Sequence, residues 1–262
     1  MHRSGSAALL LAVVAAAPAL AAGDVTVSLS GRRLTIAGDG ADNAFTVTSG
    51  SGREVIVTGA DGTTVNGTAA VVADGVRGVR IQTGAGDDTV VIDRLFLPET
   101  LAVKLGAGAD ALAVTDGVVN GSLFVRAGKG RNDVRIAGVT VEGDVTVRAG
   151  SGGGNVTIDT VSFDESITLF GGQGRDFFSL FNVDNHRGER VRITTGDGED
   201  QVRLEVASFD DVVDVDLGND DDFLVVADVF FDGGADLDGG QGHDDVLIGF
   251  VSADDDVDFD GF

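Results

Sequence analysis

Apolar residues along most of this chain come in pairs one position apart, and the pairs form three recurring series. The first runs Val90/Ile92, Leu112/Val114, Val134/Ile136, Val156/Ile158, Phe178/Leu180, Val202/Leu204, Leu224/Val226 and Val246/Ile248. A second includes Val139/Val141, Val161/Phe163 and Val229/Phe231. A third includes Leu101/Val103, Leu123/Val125, Val145/Val147, Ile167/Leu169, Val191/Ile193, Val213/Val215 and Val257/Phe259. An apolar, polar, apolar step is the period of a strand with one buried face, so each pair predicts a short strand.

Glycine-rich turns punctuate the series at Gly84, Gly106, Gly128, Gly150, Gly172, Gly196, Gly218 and Gly240, a spacing of 22 residues with one interval of 24. A fixed period of this length marks a solenoid, whose coils bury their apolar faces only by stacking on their neighbours. Six rows read down eight coils give 48 positions, of which 46 are apolar; Gly117 and Asn185 are the exceptions. The chain as a whole is only 43% hydrophobic, so chance would fill fewer than half of them. The expected fold is therefore all-β, a parallel β-helix (β-solenoid) with three short strands per 22-residue coil and about eight regular coils. Right-handed winding is expected from the handedness of parallel crossovers. The absence of Trp and Tyr suits a narrow interior.

Residues 22–83 repeat less cleanly. "DVTVSLSGRRLTIAG" reads as a hairpin, while "GDGADNAFTV" and Val79/Ile81 resemble degenerate coils. An N-terminal β cap, which a solenoid needs to cover its open edge, is expected there, with the regular helix over residues 84–262. No cap is evident after Val257 and Phe259. That edge is open to end-to-end self-association, or else the charge of "SADDDVDFDGF" alone protects it.

Residues 1–21 carry a different pattern: a basic start, an apolar run from Ala7 to Leu20, and the small-residue motif Ala19-Leu20-Ala21. This is the pattern of a secretory signal peptide, and the run falls short of the ~20 residues that span a bilayer. The expected location is extracellular, cell-surface or periplasmic. The chain contains no cysteine, so neither disulfides nor a cysteine-linked lipid contributes. With 43 acidic against 18 basic residues and a net charge of −25, it is unsuited to nucleic acid and anionic lipid and suited to cations or basic partners.

Two turns, "GGQGRDFFS" (Gly171 to Ser179) and "GGQGHDDVL" (Gly239 to Leu247), match G-G-x-G-x-D-x-U-x, where U is a large apolar residue. This pattern resembles the RTX, or haemolysin-type, calcium-binding repeat family. The resemblance implies Ca²⁺ held between successive coils by turn carbonyls and by the aspartates at Asp176 and Asp244. The same column contains Asp88, Asp110, Asp200 and Asp222, in turns lacking the first glycine. The chain departs from the family in having one such turn per 22-residue coil, where two per coil of eighteen are usual, and in its N-terminal signal.

Calcium takes six to eight oxygen ligands, which stacked turns can supply. A bare column of carboxylates would repel itself, so ion binding would stabilise the fold. The column is interrupted by Asn132 in "GKGRND" and by Gly154 in "GSGGGN", and no ion is expected at those two coils. The metal-free alternative is that glycine supplies a positive φ and aspartate caps its own turn.

On the outward side of the third strand, Asp214, Asp236 and Asp258 form one row and Asp216, Asp238 and Asp260 another. Lys104, Arg126 and Arg148 occupy the second row earlier in the stack. The surface is expected to pass from basic to acidic along the axis, as a site for cations or a basic partner or as a solvated face.

The function expected is that of an exported calcium-binding β-solenoid with a structural, adhesive or matrix role, its partners being calcium ions and an extracellular polysaccharide or another surface protein. The alternative is a carbohydrate-active β-helix of the lyase or hydrolase type, which would need a walled cleft with converging acids. The one irregular coil, "NVDNHRGER" from Asn182 to Arg190, holds His186 beside Arg187, Glu189 and Arg190. No nucleophile triad and no phosphate-binding loop accompanies it.

Overall fold

A computed structural model describes residues 23–185 and 190–262, together with the backbone of a strand at Ala12–Val14 that pairs antiparallel with Ala70–Ala73. The rest of the expected signal peptide, and His186, Arg187 and Glu189 of the irregular coil, lie outside the described residues. The described chain is a β-solenoid of parallel strands with no helix.

The first strands of successive coils, such as Thr89–Asp93, Ala111–Thr115 and Asn132–Ala137, lie parallel and in register. Val90, Leu112 and Val134 are direct neighbours. The third strands form a second ladder running from Gly78–Ala85 through Leu101–Ala107 and Leu123–Lys129 to Val257–Asp260. The register advances by 22 residues at each step except one, where Ile167 pairs with Val191 and Phe177 with Gln201. Val161 still pairs with Val183 at the ordinary offset, so the two extra residues fall between Asn185 and Val191.

The expected three strands per coil are present with one difference. In early coils the second strand is a separate pair of residues, Phe96–Leu97, Val118–Val119 or Thr140–Val141. In four later coils it runs on from the first strand as one bent element, for example Gly154–Phe163 and Phe223–Phe231. The corner between the two is made by a column of residues with positive φ: Arg94, Asp116, Gly138, Thr160, Asn182, Val206 and Asp228, at +49° to +64°. Bending the backbone there lets both segments turn the same apolar face inward. Six of these seven residues carry a Cβ, and for an L-residue this conformation is strained, most of all for β-branched Val206.

All six apolar rows are buried in the first seven of the eight coils, with Phe209 and Phe231 stacked at 5.9 Å between ring centroids. Gly117 interrupts its row for a steric reason, since an added Cβ would lie 2.9 Å from the Leu95 carbonyl oxygen. A further row is also inward: Thr83, Leu105, Ala127, Ala149, Thr195 and Leu217 are all buried at the end of the third strand. Its mixed composition hides it from an apolar count. In the last coil the same rows are only partly covered, and Leu247, Ile248 and Phe250 are exposed.

At the other end the parallel pattern gives way to antiparallel pairing. Asp24–Ser30 pairs antiparallel with Arg33–Ala37, and Ala44–Ser49 with Val55–Ala60, which pairs in turn with Ala70–Ala73. Arg33–Ala37 and Ala44–Ser49 join the parallel stack at Gly78–Ala85 and Thr89–Asp93. The antiparallel strands thus cover the start of both sheets.

Each turn glycine packs against the same residue of the preceding coil. A Cβ on Gly128, whose φ is +102°, would overlap the carbonyl oxygen of Gly106. Gly128→Ala should therefore cost several kcal/mol, because the obstruction is backbone that cannot rotate away. Gly31→Ala, at a positive φ but with open space around it, should cost about 1 kcal/mol. Equal effects in chemical denaturation would refute this account of the glycine column. Val206→Asn should instead stabilise by about 1 kcal/mol, raising the melting temperature by roughly 2–4 °C. A lowered melting temperature would mean that Val206, 45% exposed, contributes packing that outweighs its strain.

Candidate metal centre

The six aspartates singled out in the sequence, Asp88, Asp110, Asp176, Asp200, Asp222 and Asp244, stand in one column with Asn43, Asn132 and Gly154. Their side chains point inward. All six aspartates are buried, at 0–8% exposure, as are Asn43 and Asn132. Position rather than burial drives the choice of residue here. The backbone N–H just ahead of each first strand needs an acceptor, and the side chain one coil further on supplies it.

The result is a hydrogen-bond ladder. Asn43 N–H donates to Asp88 Oδ1 at 2.8 Å, Asp88 N–H to Asp110 Oδ1 at 2.9 Å and Asp110 N–H to Asn132 Oδ1 at 3.1 Å. Beyond the break, Asp176 N–H donates to Asp200 Oδ1 at 2.7 Å, Asp200 N–H to Asp222 Oδ1 at 2.6 Å and Asp222 N–H to Asp244 Oδ1 at 2.8 Å. At Gly154, which has no side chain, Asn132 N–H falls back on the Gly153 carbonyl at 3.4 Å. Asp88, Asp110, Asp200, Asp222 and Asp244 therefore cap the equivalent residue of the coil before them, whereas Asp176, which follows Gly154, caps Gly172 of its own turn. Aspartate and asparagine are interchangeable in this role, because it uses only one acceptor oxygen.

The second oxygen is what separates them. It has no hydrogen-bond partner at Asp88, Asp110, Asp200, Asp222 or Asp244, where it is Oδ2. At Asp176 the unpartnered atom is Oδ1, and Oδ2 takes the Gly172 N–H at 3.0 Å. Asn132 shows what this position faces, since its Nδ2 donates to the carbonyls of Gly130 at 3.0 Å and Ala149 at 3.2 Å. At the last turn Asp244 Oδ2 and the Gly261 carbonyl border the same spot, since a Cβ built on Gly239 would lie 3.1 Å from one and 2.9 Å from the other. An oxygen aimed at carbonyl oxygens, away from water, needs a proton or a cation between them. Thr83 and Thr195 place a hydroxyl in the same region, but each donates its proton to a carbonyl of the next coil, Leu105 or Leu217.

Electrostatics follow from this placement. Burial pushes the Asp200 and Asp222 carboxyls up to about 7 and Asp176 up to about 6, against the opposing effect of the N–H bonds they accept. Asp88 and Asp110 are also raised, again chiefly by burial. Neighbouring carboxylates of the column add to the rise at Asp110, Asp200 and Asp222.

Acids not singled out in the sequence surround the second segment. A shallow depression of about 520 Å³ is lined by Glu199, Asp221, His243 and Asp245 together with Asp200 and Asp222, and by one cation, Arg175, which lies 3.9 Å from Glu199. On the outside Asp221 and Asp87 cap in the opposite sense, accepting an N–H from the coil that follows, that of His243 at 3.0 Å and of Ala109 at 2.7 Å. Their signal was present in "GED", "DDD" and "HDD", where acids flank the column position. Among the described residues no three acidic, His or Cys side chains converge on one point, so any ion must draw most of its ligands from backbone carbonyls and water. For an ion at Asp222, equivalence with Asn132 makes the carbonyls those of Asp220 and Gly239. Such a donor set, all oxygen, fits a hard cation.

Compared with family models, with curated proteins and with solved structures, the chain matches none.

The raised carboxyls give a defined pH dependence. Their folded values lie above the usual ~3.9, so the stability they contribute is fully present below that value and is lost as pH rises through about 6–7. In chelator, the melting temperature should fall between pH 4 and pH 8. Asp200→Asn should flatten part of that fall, because an amide keeps the Asp176 bond and cannot ionise. Superimposable pH profiles for the two proteins would overturn the assignment.

Proposed function

We propose that this protein is an exported, calcium-stabilised β-solenoid that serves as a structural or adhesive element at the cell exterior. The observation that supports it best is the column of buried carboxylate oxygens without partners, at a position where the Asn132 amide reaches two backbone carbonyls. Calcium between coils would supply the missing positive charge and tie successive turns together. Asp176, Asp200, Asp222 and Asp244, continuous in the stack and adjoined by the acidic depression, are the stronger segment, and Asp88 with Asp110 the weaker. Export rests on the signal-like pattern of residues 1–21.

A structural role is supported by the uniform coils. Apart from the two residues added between Asn185 and Val191, every coil from Gly84 onward repeats the same length, and among the described residues no inserted loops wall a cleft. The carbohydrate-active alternative lacks such support among the described residues.

An ion bound only by the folded state stabilises it by about 2.7 kcal/mol at a hundred times its dissociation constant. Millimolar Ca²⁺ at pH 7.5 should therefore raise the melting temperature measured in chelator by several degrees, and isothermal titration should count the sites. Asp222→Asn should lose part of the calcium increment while remaining folded, since Asn132 already occupies the same position. A melting curve unchanged by calcium would remove the proposal.

A further inference from the structure

One outward column of the third face has a symmetry that calcium binding does not use. After Ala37 and Gln82 at the capped end, its last eight members are Lys104, Arg126, Arg148, Phe170, Thr194, Asp216, Asp238 and Asp260, each residue the direct neighbour of the next. Three cations, two uncharged residues and three carboxylates make an order that changes sign about its own midpoint, between Phe170 and Thr194. Lys104, Arg126, Arg148, Asp238 and Asp260 are exposed.

We propose that this face is a self-complementary interface, through which two copies of the chain pack side by side with antiparallel solenoid axes. In this arrangement Lys104, Arg126 and Arg148 of each copy meet Asp260, Asp238 and Asp216 of the other. A two-fold axis lying in the interface and parallel to the strands brings each column opposite itself in reverse order. Such an isologous contact closes at the dimer. The parallel arrangement would set like charges against each other and is excluded by the same pattern.

The charges are available for this contact. Among the described residues none forms an ion pair with Lys104 or Arg126, and the Arg148 guanidinium lies 4.2 Å from the Phe170 ring centroid. In the adjacent column Asp214 is already answered within its own copy by Arg190 and Arg192, each at 3.8 Å. The carboxylates crowd each other when alone: burial, then Asp238 and Asp214, push the Asp216 carboxyl up, and a facing cation would relieve this.

The size is adequate. Eight coils stacked ~4.8 Å apart, with strands ~17–20 Å long, present roughly 650 Å² per copy, near the ~800 Å² per partner of stable interfaces. The net charge of −25 opposes association at low ionic strength. At about 0.15 M salt the screening length of ~8 Å suppresses repulsion between distant charges more than attraction between touching ones.

The basic half also forms a groove of about 590 Å³ lined by Arg33, Arg80, Lys104, Phe124, Arg126 and Arg148, which an anionic polymer could enter. That occupant would leave the matching acidic half without a role, so a second copy is preferred.

Sedimentation of the full chain in chelator, at about 0.15 M salt, should show a dimer that dissociates on dilution. Lys104→Glu with Arg126→Glu should make it monomeric, and so should Asp238→Lys with Asp260→Lys. An equimolar mixture of these two double variants should dimerise again, because each reversed half then faces its complement. A monomeric wild type at high micromolar concentration would overturn the proposal, as would a dimer that survives either reversal. So would failure of the mixture to associate while both variants keep the wild-type circular dichroism. Should either reversal fail to fold, Arg126→Gln provides the milder test: the dimer should weaken at least tenfold, and an unchanged dimer would count against the interface.

Discussion

Every residue in this stack lies against its own equivalent one coil away, about 4.8 Å above and below, and that in-register repetition governs the rest of the molecule. Whatever a position does once, it does along the whole column. An apolar side chain placed inward meets another apolar side chain, as Val90, Leu112, Val134 and Val156 do, and the gain accumulates down the stack. A glycine that brings the turn close to its neighbour must recur, because a Cβ at any coil would strike the carbonyl of the coil before. The period of 22 residues is the visible trace of this constraint.

The same repetition makes charge costly. A carboxylate in one coil faces a carboxylate in the next, and the protein has met this in two ways. In the buried column one oxygen of every aspartate but Asp176 is given to a backbone N–H of the preceding coil, as in the 2.6 Å bond from Asp200 to Asp222, and Asp176 gives one to its own turn. This orients the side chain without neutralising it. The other oxygen is left buried without a partner, and the burial that pushes Asp200 and Asp222 up to about 7 favours a proton or a cation there. On the outer face the like charges are instead gathered into separate blocks, cations at Lys104 to Arg148 and carboxylates at Asp216 to Asp260, where Arg192 of the same copy only partly offsets the rise at Asp216.

The two devices bear on different properties. The buried column ties coil to coil and concerns stability, whereas the outer face concerns association. The two ends of the stack also differ. Antiparallel strands between Asp24 and Ala73 cover the first coil, while Ile248 and Phe250 of the last are exposed. Growth by stacking is thereby blocked at one end.

The sequence by itself determined the coil, its length and six inward rows, because alternation and a fixed period leave one way to bury so many aliphatic residues. It also identified the aspartate column, since the glycine turns set its register. Several features required the tertiary structure. The left-handed corner at Arg94, Asp116, Thr160 and Val206 has no common residue type, as its conformation is imposed by the stack and not by local preference. The row from Thr83 to Leu217 mixes polar and apolar residues of different size, so no hydrophobic count finds it. Above all, the sequence could not say which way the aspartates face. That depends on the N–H left over where each first strand begins, which only the neighbouring coil can reach, and it turns a surface carboxylate into a buried one.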